Sequence, residues 1–143
     1  MQLYFLTKKQ ATASAREIRQ AILEIRREKL PNPKQVPNCG SFFKNPIIDK
    51  QTLERIQVKY PEIPHFVVDA EKSKLYAGWL IENVGLKGAE IGNIKIYDKN
   101  SLVITNPAGK GNFSDLEIAI HEIKTKVRDE FGIELEVEPN IIQ

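Results

Sequence analysis

Gly40-Ser41-Phe42-Phe43-Lys44-Asn45-Pro46 sets a glycine, a hydroxyl, two adjacent aromatics, a cation, an amide and a proline side by side. In an extended segment neighbouring side chains point to opposite faces, which puts Ser41 and Phe43 on one face and Phe42 and Lys44 on the other. Gly40 carries no Cβ, so the backbone there is free to approach a ligand closely. Pro46 ends the segment and biases Asn45 toward extended geometry. Taken alone, the stretch reads as a short buried strand with two core phenylalanines and a polar turn.

Upstream of it, Pro31, Pro33 and Pro37 enforce an extended, irregular approach to Gly40. Ser14-Ala15-Arg16-Glu17 fits a capping box. Ile18, Ala21, Ile22 and Ile25 follow at helical spacing and predict an amphipathic helix over residues 13–29. Arg16, Arg19, Arg26, Arg27 and Lys29 make that helix basic, and a solvated face is the plainer reading of most of these charges. Residues 1–12 carry the apolar patch Leu3-Tyr4-Phe5-Leu6, suited to a strand that pairs with something further upstream.

Downstream, Thr52 to Tyr60 reads as a short helix with Leu53 and Ile56 inward, halted by Pro61. Phe66-Val67-Val68 predicts a strand, followed by a polar turn through Glu71-Lys72-Ser73. Ala77 to Val84 is helical, with Gly85 placed to cap it. Ile94-Lys95-Ile96-Tyr97 and Leu102-Val103-Ile104 flank a turn at Asp98-Lys99-Asn100 and predict a β-hairpin. Ser114-Asp115-Leu116-Glu117 fits a second capping box, opening a helix that runs to about Glu130 and ends at Gly132. Ile133, Leu135 and Val137 alternate with Glu134, Glu136 and Glu138, the pattern of a half-buried strand. Helices and strands mix without a βαβ repeat, which predicts an α+β fold with a small mixed or antiparallel sheet packed with helices.

At 143 residues the chain suits one domain with a sizeable core. A hydrophobic content of 41% and a charged content of 28% are those of an ordinary soluble protein. No apolar run has the length that spans a bilayer, and the start lacks a secretory signal, which implies a cytoplasmic setting. The lone Cys39 excludes an internal disulfide and a cysteine-based metal cluster. His65 and His121 have no second ligand at metal spacing, so no metal is expected. A net charge of +2 argues for no nucleic acid. There is no GxGxxG or Walker signature to cradle a dinucleotide phosphate.

The motif does not stand alone. Preceded by Lys29-Leu30-Pro31-Asn32-Pro33-Lys34 and followed by Ala77-Gly78-Trp79-Leu80-Ile81-Glu82 and Leu86-Lys87-Gly88, it resembles the C-terminal domain of the UDP-N-acetylenolpyruvoylglucosamine reductase (MurB) family, from about Arg26 to Ile142. The resemblance implies a fragment of an FAD-dependent, NADPH-using oxidoreductase of peptidoglycan synthesis. Residues 13–143 would be its substrate-binding domain and residues 1–12 a residual segment of an upstream domain. It gives Ser41 the role of proton donor and Glu138, in Leu135-Glu136-Val137-Glu138, that of stabilising the enolic intermediate through the substrate carboxylate. Lys29 and Lys87 match residues that bind the diphosphate of UDP-N-acetylenolpyruvoylglucosamine, and Asn45 matches a substrate-binding amide. Lys44 has no such positional warrant. The FAD is held mainly by upstream domains of the same enzyme, so the isolated domain is expected to be inactive.

This sequence departs from the family near its end. Pro139 follows the glutamate where the family has a proline before it, Asn140 replaces a frequent arginine, and Gln143 stands where glycine is common. Three glutamates share one face, and pattern alone does not choose among Glu134, Glu136 and Glu138. Cys39 stands where the family often has alanine. The alternative reading is a stand-alone UDP-sugar-binding module without redox activity.

Overall fold

The computed structural model describes residues 13–140. The apolar patch at Leu3–Leu6, the boundary at residue 12 and Gln143 therefore lie outside the described residues. Helix α1 (Ala15–Lys29) opens with the predicted capping box. The Ser14 hydroxyl accepts the Glu17 amide at 3.3 Å, and the Glu17 carboxylate accepts the Ser14 amide at 2.9 Å. Its cap residue Leu30 is followed by Pro31, which has no N–H to continue the helix.

Strand β1 (Asn38–Ser41) leads into the motif, and β2 (Ile47–Asp49) leaves it. Helix α2 (Lys50–Gln57) starts earlier than Thr52 because Asp49 caps it, accepting the Thr52 amide at 2.7 Å. That bond holds the Asp49 carboxyl below its ordinary pKa. Strands β3 (His65–Val67) and β4 (Lys72–Leu75) follow. Lys72-Ser73 belongs to β4 rather than to the predicted turn, which lies at Asp69 to Glu71. Ser73 and Leu75 alternate inward against outward Lys72 and Lys74, a period of two half hidden by its lysines.

Helix α3 (Ala77–Asn83) ends at Gly85, whose φ of +77° allows Leu86 N–H to reach the Ile81 carbonyl at 3.2 Å. Strands β5 (Glu90–Ile91), β6 (Ile94–Ile96) and β7 (Val103–Thr105) precede helix α4 (Phe113–Phe131). The α4 capping box is Asn112 with Asp115, not Ser114 with Glu117. Asn112 is at least as good a cap as serine, and it captures the Asp115 amide at 3.0 Å. Gly132 closes the helix with φ +68°, as predicted.

The fold is α+β, with two antiparallel sheets where one was expected. One orders its strands β1-β7-β6-β5, containing the predicted β6–β7 hairpin; the other is β2-β4-β3. Phe43, Leu75, Leu80, Ile81, Ile96, Ile123, Val127 and Phe131 form the core between the sheets, α3 and α4. No helix among the described residues is long and apolar enough to cross a membrane.

Candidate functional site

The motif is where the chain passes from one sheet to the other. β1 pairs with β7, but the register slips between Asn38 and Ser41. Gly40 sits at that slip with φ +81°, a conformation that favours glycine. A Cβ there would meet nothing within 4 Å, so the requirement is conformational and the ground above Gly40 is open.

Beyond the slip, Phe42 N–H donates to the Leu102 carbonyl at 2.8 Å, while Phe42 O accepts Glu138 N–H at 2.9 Å. Lys44 N–H donates to the Glu136 carbonyl at 2.9 Å, and Phe43 faces Val137 as an isolated antiparallel bridge. The two core phenylalanines expected of this stretch are both there. Phe42 and Phe43 are both buried, edge-to-face with centroids 5.4 Å apart, while Ser41 and Lys44 are both exposed. The reason is that protein covers both faces of the segment. Phe43 enters the main core, and Phe42 lines a cavity of about 320 Å³ with Ile94, Ile104 and Leu116.

The tail behaves as a strand in burial but not in pairing. Ile133 and Leu135 are buried and Val137 half-buried, with the three glutamates outward, yet among the described residues the Phe43–Val137 bridge is its only ladder. Glu136 pairs with Lys44, and Glu134 lies 3.5 Å from Arg128. Among the described residues Glu138 is the one of the three without an ion-pair partner. The Ser41 hydroxyl likewise has no protein hydrogen-bond partner there. Across the bridge Glu138 is opposite Phe42, one residue from Ser41.

Asn45 turns its Oδ1 to the Ala77 amide at 2.9 Å, joining the motif to α3. Lys29 stands exposed in the last turn of α1, and Lys87 pairs with Glu82 at 2.7 Å. Ser41 and Asn45 thus lie on the motif segment and Glu138 on the tail bridged to it, while no contact ties Lys29 or Lys87 to them among the described residues. Sequence reasoning left Lys44 without a role. It lines a second cavity, of about 380 Å³, with Asn45, Glu134 and Glu136. The alternating glutamates held the signal for that pairing, but not the register. Cys39 is exposed as a residue, yet desolvation of its sulfur pushes the thiol above its ordinary pKa, which disfavours the thiolate.

Residues 32–142 match the family of UDP-N-acetylenolpyruvoylglucosamine reductase, C-terminal domain. The chain belongs to that family. It is 42% identical over 132 residues to the UDP-N-acetylenolpyruvoylglucosamine reductase of Polynucleobacter asymbioticus, covering 92% of this chain and 38% of that protein. The reductase of Shewanella baltica gives the same identity and coverage. That of Bacteroides fragilis is 39% identical over 126 residues, covering 87% of this chain and 37% of the relative. The chain therefore spans less than two-fifths of the length of these reductases.

Proposed function

We propose that this chain supplies the substrate-binding and proton-donating part of a reductase that converts UDP-N-acetylenolpyruvoylglucosamine to UDP-N-acetylmuramate in the cytoplasmic stage of peptidoglycan synthesis. The observation that carries this reading is the bridge that sets the Ser41 hydroxyl beside the segment of the Glu138 carboxylate, both without a protein partner among the described residues. Polar groups left without protein partners on neighbouring backbone are available to an outside molecule.

The reaction adds hydride to one carbon of the enolpyruvyl double bond and a proton to its neighbour. A flavin, when bound to the complete enzyme and reduced by NADPH, would supply the hydride. The open ground over Gly40 fits the approach of a flat ring. Ser41 donates the proton at its Oγ. An alcohol is a weak acid, so its alkoxide needs donors or cations nearby. Glu138 faces the substrate carboxylate and stabilises the enolic form through it. Lys29 and Lys87 take the diphosphate, Lys87 exchanging Glu82 for a phosphate oxygen. No observation favours the stand-alone sugar-binding reading.

The test uses the complete reductase that carries this domain, with flavin absorbance followed by rapid mixing. Ser41→Ala should leave flavin reduction by NADPH nearly normal and slow reoxidation by the enolpyruvyl substrate by about 10²–10⁴-fold. Ser41→Cys should restore part of that loss, a thiol being the stronger acid. Equal slowing of both half-reactions would make Ser41 structural and sink the proposal.

A further inference from the structure

The backbone of Lys87 is fixed, while its ammonium rests on one exposed carboxylate. Leu86 to Ala89 forms a tight turn, in which Ala89 N–H donates to the Leu86 carbonyl at 3.1 Å. Leu86 is buried, and Gly88 takes the φ of +74° that the third position of a type II turn requires. A Cβ on Gly88 would lie 2.5 Å from Oδ1 of Asp98, whose other oxygen faces Lys95 at 3.1 Å. The turn is thus clamped between the core and Asp98, and the Lys87 side chain alone is free to swing. Its Nζ meets Oε1 of Glu82 at 2.7 Å, in a pair whose side chains are 40% and 49% exposed.

Glu82 gains little from its own helix. It stands in the last turn of α3, where free carbonyls favour cations, and α3 has no basic residue there. Its partner comes from beyond the helix, because the left-handed turn at Gly85 folds the chain back over that end. Gly85 N–H donates to the Glu82 carbonyl at 3.0 Å, and Leu86 N–H to the Ile81 carbonyl at 3.2 Å. Asp98 already faces Lys95, so Glu82 is the carboxylate that an anion arriving at Lys87 displaces. We propose that Glu82 is a stand-in for the diphosphate: it holds the Lys87 ammonium before the ligand arrives, yields it to the phosphate oxygens and takes it back as the product leaves. A freed Glu82 is repelled both by the bound anion and by the carbonyl end of α3, which drives the return. The inference rests on the proposed function in that Lys87 meets the diphosphate. It adds a residue to which the resemblance gives no role, and which lowers the affinity of the site for its own ligand.

Glu82→Gln keeps the shape of the side chain and removes its charge. In the complete reductase that carries this domain, calorimetric titration with UDP-N-acetylenolpyruvoylglucosamine should show affinity about threefold to fivefold tighter, the upper range for an exposed pair. Lys87→Ala alone should bind less tightly than wild type. In that background the further change Glu82→Gln should gain almost nothing, because no ammonium is left to release. Equal gains in the two backgrounds would make Glu82 a general repelling charge and overturn the inference. Affinity left unchanged by Glu82→Gln overturns it too, and weaker binding would make Glu82 a residue that aligns Lys87 instead. All three results leave the proposed function standing so long as Lys87→Ala weakens binding. Wild-type affinity in Lys87→Ala takes Lys87 away from the diphosphate and defeats the inference together with that part of the proposed function.

Discussion

The α2–α4 corner and the Ser41 segment are made from similar residues, yet one is closed and the other open. At the corner Glu130 accepts hydrogen bonds from Lys59 and from the Tyr60 hydroxyl, the latter at 2.8 Å. The Tyr60 ring stands edge-on to Trp79, with centroids 5.6 Å apart, and tilts over Phe131 at 5.2 Å. Arg55 completes it by donating to the Phe131 carbonyl at 3.0 Å. At the motif the Ser41 hydroxyl, the Asn45 Nδ2 and the Glu138 carboxylate have no protein partners among the described residues. The corner needs nothing further to be satisfied. The motif face leaves its exposed polar groups to water or to a bound molecule, and that contrast separates a packing device from a candidate site more cleanly than residue type does.

The largest test of this contrast is a matched pair of deletions. Phe131 and Phe43 are each 1% exposed, so Phe131→Ala and Phe43→Ala should each cost about 3–5 kcal/mol in denaturant unfolding. They should differ in what loosens. Phe43→Ala removes the side chain above the Phe43–Val137 bridge to the tail, so hydrogen exchange at the Lys44 and Glu138 amides should rise well beyond the change at Ala119. Phe131→Ala should leave that bridge protected. The same pattern of exchange in both variants would mean that the two regions are one cooperative unit.

A smaller effect separates two left-handed glycines. Gly132 has φ +68° and Gly40 φ +81°, so alanine at either is strained by about 1–2 kcal/mol. An added Cβ at Gly132 would lie 2.9 Å from the Arg55 guanidinium, whereas at Gly40 it would meet nothing within 4 Å. Gly132→Ala should therefore lower Tm more, because Arg55 must also release the Phe131 carbonyl. A larger loss at Gly40 would show that the open ground above it is filled in solution.

Local signals in the sequence carried the helices and the hairpin. Ser14 and Glu17, Gly85 and Gly132 act through neighbours within a few residues, and the β6–β7 pair closes over a short turn. What escaped was non-local. The bridge joins Phe43 to Val137, and the Lys44–Glu136 pair spans 92 positions, so no nearby residue announces it. β2 and β4 are 3 and 4 residues long, too short for a periodic pattern to rise above their lysines and aspartate. The double burial of Phe42 and Phe43 was legible as two core phenylalanines, but the elements that cover each face of the segment were not. Of the site, the residue types were legible and their partners were not.

A pH scan sharpens the contrast further. Hydrogen bonds from Lys59 first, and from Tyr60 next, hold Glu130 below its ordinary carboxylate pKa, and the Glu130 bond holds Lys59 above its own. A depressed carboxylate contributes stability above its unfolded pKa and loses it as pH falls through the folded one. A raised lysine contributes below its unfolded pKa and loses it as pH rises through the folded one. The corner should thus be firmest between the two, and Glu130→Gln should flatten both limbs of Tm against pH. Unchanged limbs would place their origin elsewhere.

The smallest expected effect lies across the bridge. The Lys44 and Glu136 side chains are 50% and 71% exposed, so water and salt screen their attraction and a double-mutant cycle should give about 0–1 kcal/mol. The backbone bonds at Phe42 and Lys44, with the burial of Phe43, then hold the tail beside Ser41. Lys44→Glu sets two carboxylates face to face, and the added Glu136→Lys should recover the loss at low salt while changing little at high salt. A coupling well above about 1 kcal/mol, insensitive to salt, would reverse the order of causes. The ion pair would then hold the tail, and the motif face would be closed by its own side chains as the α2–α4 corner is.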